Sequence, residues 1–341
     1  MKKTDWQKLL DKHPEGNFLQ SETWAEANSL MGRRFTMAVI DGTGLVSMIV
    51  RDAKRGRFLQ VAGGPLIDWT NKKQIEKALE KIKDYAKEEK CIFARIRPQL
   101  RKTPENLTLL KSLGLKVAPM HLAAENTVIL DLEKTEDELL AGMRRQTRYE
   151  VRRSQKLDLV VEKSNSEEIF REFHKVQAET AKRQNFIPPS LDDLLAERSA
   201  FLKMGDYIQI YVVKTGKNTE FKGEKYEAGL PIAYGLVFAH GNEAEYFEAA
   251  STDLNHVLPG AYALQWQIIK DLKALGIKRY NLWGIAPPNS PHHRYAGVTT
   301  FKTGFGGEVV EYVPAHDLII NKPKYLPNLI IENVRKKKRH L

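Results

Sequence analysis

The run Phe301-Lys302-Thr303-Gly304-Phe305-Gly306-Gly307 puts an aromatic ring and a cation on a glycine-rich turn. A short apolar strand, Tyr280-Asn281-Leu282-Trp283-Gly284-Ile285, comes before it, and a second strand, Glu308 to Val313, follows. A lysine ordered between two strands can hold an anion or a developing oxyanion, and the glycines let another backbone or a ligand come close. The plainer reading is a solvated lysine on a polar turn. Arg144, Arg148 and Arg152 fall at i, i+4 and i+8 and would form one basic stripe on a helix. Such a stripe suits a phosphate backbone and equally a solvated face. His292 and His293 would point apart on a strand, and no Cys or carboxylate spacing beside them favours a metal, so none is expected.

Two segments with the same order of elements must position these groups. In the first, strands at Leu45–Arg51 and Arg57–Val61 lead through Gly63-Gly64-Pro65 to a helix at Lys72–Glu89 and a strand at Ile92–Ile96. In the second, strands at Ile232–Ala239 and Glu245–Ala249 lead through Pro259-Gly260 to a helix at Ala261–Leu275. Gly276 stops that helix, and a strand at Arg279–Trp283 follows. The repeated strand–strand–helix–strand order predicts two related α/β domains. Between them, Thr135 and Glu138 make a capping box for a helix that carries the arginine stripe. Tyr262 opens the second repeat's helix and is a candidate substrate contact. Arg183 stands near the end of a helix, where a C-cap role and an acceptor-binding role are both open. For Trp24 and Trp266, core packing is the first reading. Lys214–Tyr226 is polar and is read as an exposed hairpin loop without chemistry.

Composition narrows the function classes. With 341 residues, two domains are expected, and 42% hydrophobic with 28% charged residues describes a soluble globular protein. No apolar run approaches the ~20 residues of a membrane helix, and the start has no apolar signal-peptide segment. The single cysteine, Cys91, is expected to be buried; it excludes a disulfide framework and points to the cytosol. Lys and Arg number 54 against 43 Asp and Glu, for a net charge of +11. That balance suits nucleic acid, an acidic membrane surface or a phosphorylated substrate. Arg335-Lys336-Lys337-Lys338-Arg339-His340 forms a basic tail, expected to be frayed rather than folded.

The repeated unit resembles the core of the GNAT acyltransferase fold, whose acetyl-CoA enzymes hold pyrophosphate on a Gly-rich turn at a helix start. The corresponding stretches here, Asn255 to Tyr262 and Pro65 to Trp69, do not look built for coenzyme A, and no cofactor is expected. A longer series resembles the Fem family of non-ribosomal peptidyltransferases. It comprises Phe18 to Trp24, Val128 to Leu132, Met143 to Ser154, Thr180 to Phe186, Pro259 to Trp266, Tyr280 to Ile285 and Phe301 to Gly307, in a common order over nearly the whole chain.

This resemblance implies an α/β fold of two GNAT-like domains in tandem, over residues 1–128 (joined by 320–334) and 129–319, with 335–341 as a tail. No long helical hairpin is inserted, so the form is compact. The implied activity is transfer of an amino acid from aminoacyl-tRNA to an amine of the peptidoglycan stem peptide, carried by lipid II or by UDP-MurNAc-pentapeptide. Aminoacyl-tRNA and the peptidoglycan precursor are the implied partners, in the cytoplasm and with peripheral contact to an anionic membrane surface. Lys302 is then the candidate catalytic residue, acting on the oxyanion or the terminal tRNA phosphate, with Phe301 facing the terminal base. Arg183, Tyr262, Trp24, Trp283 and Gly284 are candidate substrate-binding residues, and Arg144, Arg148 and Arg152 candidate tRNA contacts. Members often have an acid before the Pro that follows the last strand of domain one. Here Arg97 precedes Pro98, which removes an obvious base and favours proton transfer assisted by the substrate. Glu26 and Pro189 stand where some members have basic contacts. The rival readings are an acyl-CoA-dependent N-acyltransferase and a non-catalytic RNA-binding protein.

Overall fold

A computed structural model describes residues 4–184 and 186–338. Asn185 in the Thr180–Phe186 run and the end of the basic tail, 339–341, lie outside the described residues. In chain order the first elements are α1 (Asp5–Leu10), α2 (Glu22–Leu30), β1 (Phe35–Ile40), β2 (Gly44–Ala53), β3 (Gly56–Ala62), α3 (Lys72–Glu88), β4 (Phe93–Arg97), α4 (Pro104–Ser112) and β5 (Lys116–Val117). Next come β6 (Asn126–Asp131), α5 (Glu136–Gly142), α6 (Arg145–Ser154), β7 (Leu159–Ser164), α7 (Glu167–Gln184), α8 (Leu191–Met204) and β8 (Tyr207–Thr215). The small hairpin β9 (Glu220–Phe221) and β10 (Glu224–Lys225) precedes β11 (Pro231–His240), β12 (Glu243–Ser251), α9 (Gly260–Ala274) and β13 (Arg279–Asn281). The chain ends in α10 (Ala296–Thr303), β14 (Glu308–Glu311), β15 (His316–Ile319) and α11 (Lys322–Lys338).

The elements fall into two compact units. One runs up to Thr127 and adds Ala286–Ala296 and the chain from Val310 on; the other takes Val128–Ile285 and Gly297–Val309. Residues 310–319, expected in the second domain, thus fall in the first unit. Strand pairing is the reason: β15 lies between β4 and β5, antiparallel to both. The first sheet has the order β1-β2-β3-β4-β15-β5, and the second β14-β6-β13-β12-β11-β8-β7.

Each sheet contains the repeated unit. In one, α3 crosses over between the parallel strands β3 and β4; in the other, α9 crosses over between the parallel strands β12 and β13. The amphipathic pattern of α3 does what its spacing predicts, burying Ile75, Ala78, Ile82 and Ala86 against Val46, Val61 and Ile96. In the second unit Leu264, Ile268, Ile269 and Leu272 of α9 pack on Val237, Tyr246 and Tyr280. Cys91 is buried, and burial pushes its thiol up to about 11.

Two local differences from the sequence reading bear on function. The capping box of Thr135 and Glu138 is formed, but the helix it starts ends at Gly142, where Met143 turns extended and buries its side chain. A second helix, α6, begins with Arg144 as its N-cap and carries Arg148 and Arg152. The tail is also more ordered than expected, since α11 continues through Arg335 to Lys338.

α11 is fixed to the first sheet by a buried cluster. Arg95 on β4 donates Nε to Asp317 Oδ1 at 2.8 Å and Nη2 to Asp317 Oδ2 at 2.9 Å; Nη2 also reaches Glu332 at 2.8 Å, and Tyr325 Oη donates to Asp317 at 3.0 Å. Burial works against the charge on Arg95, but the hydrogen bonds and charge of Asp317, then Glu332, raise its pKa on balance. Removing one member of a buried pair strands the other charge. Asp317→Leu is expected to lower unfolding free energy by about 3–5 kcal/mol in urea titrations, and Arg95→Met/Asp317→Leu to cost less than that single change.

Candidate active site

The glycine-rich run is built differently from an open turn. Lys302 lies in the last turn of α10, and the glycines follow it. Arg144 donates its backbone N–H to Gly304 O at 2.9 Å and its guanidinium to Thr300 O at 3.0 Å. A Cβ on Gly304 would run into Thr147 Oγ1, and one on Gly307 (φ +86°) would stand 2.5 Å from Ile129 O. These glycines serve close approach of the protein's own backbone at the start of α6 and on β6. Lys302 is consequently only 9% exposed, which corrects the expectation of a solvated lysine.

Its surroundings are specific. Nζ donates to Gly284 O at 3.0 Å and stands 5.9 Å from the centroid of the Tyr246 ring. Gly284 is presented by a sharp end to β13: Trp283 takes φ +62°, and its N–H is held by Asn281 Oδ1 at 3.0 Å. On β12 the pairing with β11 shifts register between Leu236 and Val237, and Phe247 is the extra residue. Beyond this bulge stands Glu248, half-buried, whose Oε2 accepts from Gln177 Nε2 on α7 at 2.8 Å. The Gln177 carbonyl oxygen is buried and has no partner. Burial pushes Lys302 down to about 7, opposed by the charge of Glu248. Burial also pushes Glu248 up to about 7, opposed by Lys302 and then by the Gln177 hydrogen bond. The arrangement is an ammonium and a carboxylate that both change protonation near neutrality, beside a half-exposed rim of Phe247, Trp283 and Gly284. Glu248 and Gln177 were not singled out in the sequence; the signal available was a glutamate triplet, Glu243, Glu245 and Glu248, on an otherwise apolar strand.

The other sequence candidates are distributed as follows. Tyr262 and Phe301 come together, ring centroids 5.3 Å apart, with Phe305 5.1 Å from Phe301. Trp283 packs on Phe247 at 5.4 Å. Arg183 sits on the last turn of α7, donating to Ser251 O at the end of β12 and 3.7 Å from Asp253. Trp24 belongs to the first unit, where it is buried edge-on to Phe18 at 5.1 Å, as core packing requires. Arg148 donates to Leu140 O and Ala141 O at the end of α5 and is half-buried; Arg144, held as described, and Arg152 are both exposed. Arg97, also in the first unit, is buried over the Tyr312 ring at 5.2 Å with Nε unpartnered, and burial pushes it down to about 10. At the start of α9 the Ala261 N–H is taken by Asn255 Oδ1 at 2.9 Å, and Gly260 lies flush against Ile232.

The model of the FemAB family matches residues 1–192 and 211–332. The chain belongs to the FemAB family. A lipid II:glycine glycyltransferase of Staphylococcus epidermidis is 24% identical, over 93% of this chain and 91% of the relative. The crystal structure of FemX superposes with a TM-score of 0.80 at 21% identity, covering 97% of this chain and 99% of the other. A tandem GNAT protein from the clavulanic acid biosynthesis pathway gives a TM-score of 0.51 at 11% identity, over 83% and 82%. The fold of this FemAB protein is two GNAT-like domains in tandem.

The buried pair has a consequence for stability. Lys302 titrates at 10.5 in the unfolded chain and near 7 when folded, so between those values the unfolded state binds more protons and stability rises with pH. Glu248 titrates at 4.5 unfolded and near 7 folded, so from 4.5 to 7 stability falls as pH rises. The pair therefore contributes least near pH 7. Urea midpoints of Lys302→Met between pH 7 and 10 are expected to lack the wild-type rise; curves that stay parallel contradict the assignment.

Proposed function

We propose that this FemAB protein transfers an amino acid from aminoacyl-tRNA to an amine of the peptidoglycan stem peptide on lipid II, working at the cytoplasmic face of a membrane. The observation that carries this reading is the likeness, over 93% of the chain, to an enzyme named for glycine transfer to lipid II. The second unit supplies chemistry that suits it. A free amine attacks the ester carbonyl of the charged tRNA, a C–N bond forms through a tetrahedral oxyanion, and the C–O bond to the ribose breaks, the ribose oxygen leaving as a hydroxyl with the proton that the amine gave up. An ammonium has three N–H donors, and Lys302 uses one on Gly284 O, which leaves two for the oxyanion or the terminal phosphate. Glu248 is placed to accept the proton lost by the attacking amine, with Gln177 fixing the carboxylate. It supplies a base that the Arg97 position does not, in place of assistance by the substrate. The faces of Phe301 and Tyr262 suit a terminal base.

An acyl-CoA enzyme is disfavoured by the α9 start, where Asn255 already caps the amide that a pyrophosphate would need. Incubation of the protein with charged tRNAs and lipid II is expected to yield labelled stem peptide. Lys302→Met should lower kcat about a hundredfold or more, and Glu248→Gln should remove the acidic limb of the kcat/KM profile near pH 7. Acylation by acetyl-CoA without transfer from tRNA overturns the reading.

Among the arginines, Arg152→Ala should reduce the salt slope of tRNA binding by about one phosphate contact. An unchanged slope makes Arg152 a solvated group only.

A further inference from the structure

α11 is amphipathic the wrong way round for a core helix. The face it turns to the first sheet carries Tyr325, Asn328, Leu329 and Glu332: Tyr325 stacks edge-on to Phe93 at 5.5 Å, Asn328 accepts from Arg55 at 2.7 Å, and Glu332 holds Arg95. At ~100° per residue the opposite face carries Leu326, Ile330, Ile331 and Val334 across about 140° of arc. Leu326 is 57% exposed, Ile330 64% and Val334 48%. Lys322 stands just beyond one edge of this arc, and Lys324 and Arg335 just beyond the other, with Lys337 at its end; all are exposed. Glu332 is the one acidic residue between 322 and 338, and it is taken up by Arg95 on the inner face.

We propose that α11 is a membrane-surface helix, which lays Leu326, Ile330, Ile331 and Val334 into the headgroup boundary of an anionic bilayer while the flanking cations meet lipid phosphates. Apolar side chains along one face with Lys and Arg at its margins are the pattern of a helix lying in the interface plane, the long cationic side chains reaching up to the headgroups. Charge complementarity selects this occupant. A second copy docking on the same face would set cations against cations. RNA would meet the charges but has no use for a row of branched aliphatic side chains, single strands being bound by stacking on aromatics. The proposal rests on α11 itself and not on the transfer reaction, although a lipid-linked acceptor would be found at the same surface.

Flotation of the full chain with vesicles of phosphatidylcholine, alone or with one third phosphatidylglycerol, tests it. Binding is expected with the anionic vesicles and should fall at about 0.5 M salt, where exposed charges are screened. Lys322→Gln/Lys324→Gln/Arg335→Gln should weaken it about a hundredfold, at roughly a fivefold loss per cation. Leu326→Ser/Ile330→Ser/Val334→Ser should weaken it more than tenfold with little change in melting temperature, because these side chains are exposed. Equal binding to neutral vesicles, or equal binding by the variants, overturns the proposal. So does a self-association or a tRNA affinity that the serine variant abolishes while vesicle binding stays as it was. Loss of transfer activity with vesicle binding intact would count against the catalytic reading alone.

Discussion

Removing a charge from water is costly unless it is paired or neutralised, and this constraint organises both units. In the first, Arg95 is kept charged by a bidentate carboxylate, which joins β4, β15 and α11 into one block. In the second, Lys302 has no such clamp. Its nearest acceptor is a backbone carbonyl, and the carboxylate on its strand neighbour is itself pushed towards neutrality. A fully paired cation is a structural fastener with a fixed charge. An incompletely paired one can change protonation near pH 7, which is what acid–base chemistry or transient anion binding requires.

The two repeats fill the gap between their strands differently. Beyond the Ile49–Gln60 pair the strands β2 and β3 part, and Gln20 fills the gap: its amide donates to Ser47 O and Ala62 O and accepts from Ser47 N–H. Both ends of that amide are occupied by the protein's own backbone. In the second repeat the corresponding strand carries a bulge at Phe247, and the glutamine that approaches from α7 engages Glu248 with its NH2 but leaves its carbonyl oxygen free. One copy is plugged by its own side chain; the other keeps polar groups turned inward with valences unfilled. One pattern of strands and crossover helix thus carries two differently filled clefts.

What the sequence disclosed follows from how far each signal reaches. Strand and helix order was legible because hydrophobic period is local, and Gly276 and the Thr135–Glu138 box are local stop and start signals. Lys302 was legible as a candidate, but its environment was not. A glycine-rich run looks like an open turn until what it packs against is known: the backbone at Gly142 and Ile129 and the Thr147 hydroxyl. The single helix expected after the capping box failed for a related reason: Met143 leaves the helix to bury its side chain, so the stretch divides into α5 and α6. Glu248 was hidden because a bulge resets the in–out alternation of β12, so no two-residue rule assigns its face.

α11 shows the converse limit. Leu326, Ile330, Ile331 and Val334 have the spacing by which a core-facing stripe is ordinarily recognised, and from periodicity alone they would be assigned to the interior. The structure turns Tyr325, Asn328 and Glu332 inward instead, because Asp317, Arg55 and Arg95 respectively need those polar partners where they lie. A buried charge cluster thereby decides the rotation of a whole helix and turns its apolar face outward. Periodicity identifies that a face is apolar; which way it looks is settled by the strongest electrostatic demand on the opposite side. In this protein that demand comes from a guanidinium in the first sheet, and it leaves Leu326, Ile330 and Val334 exposed.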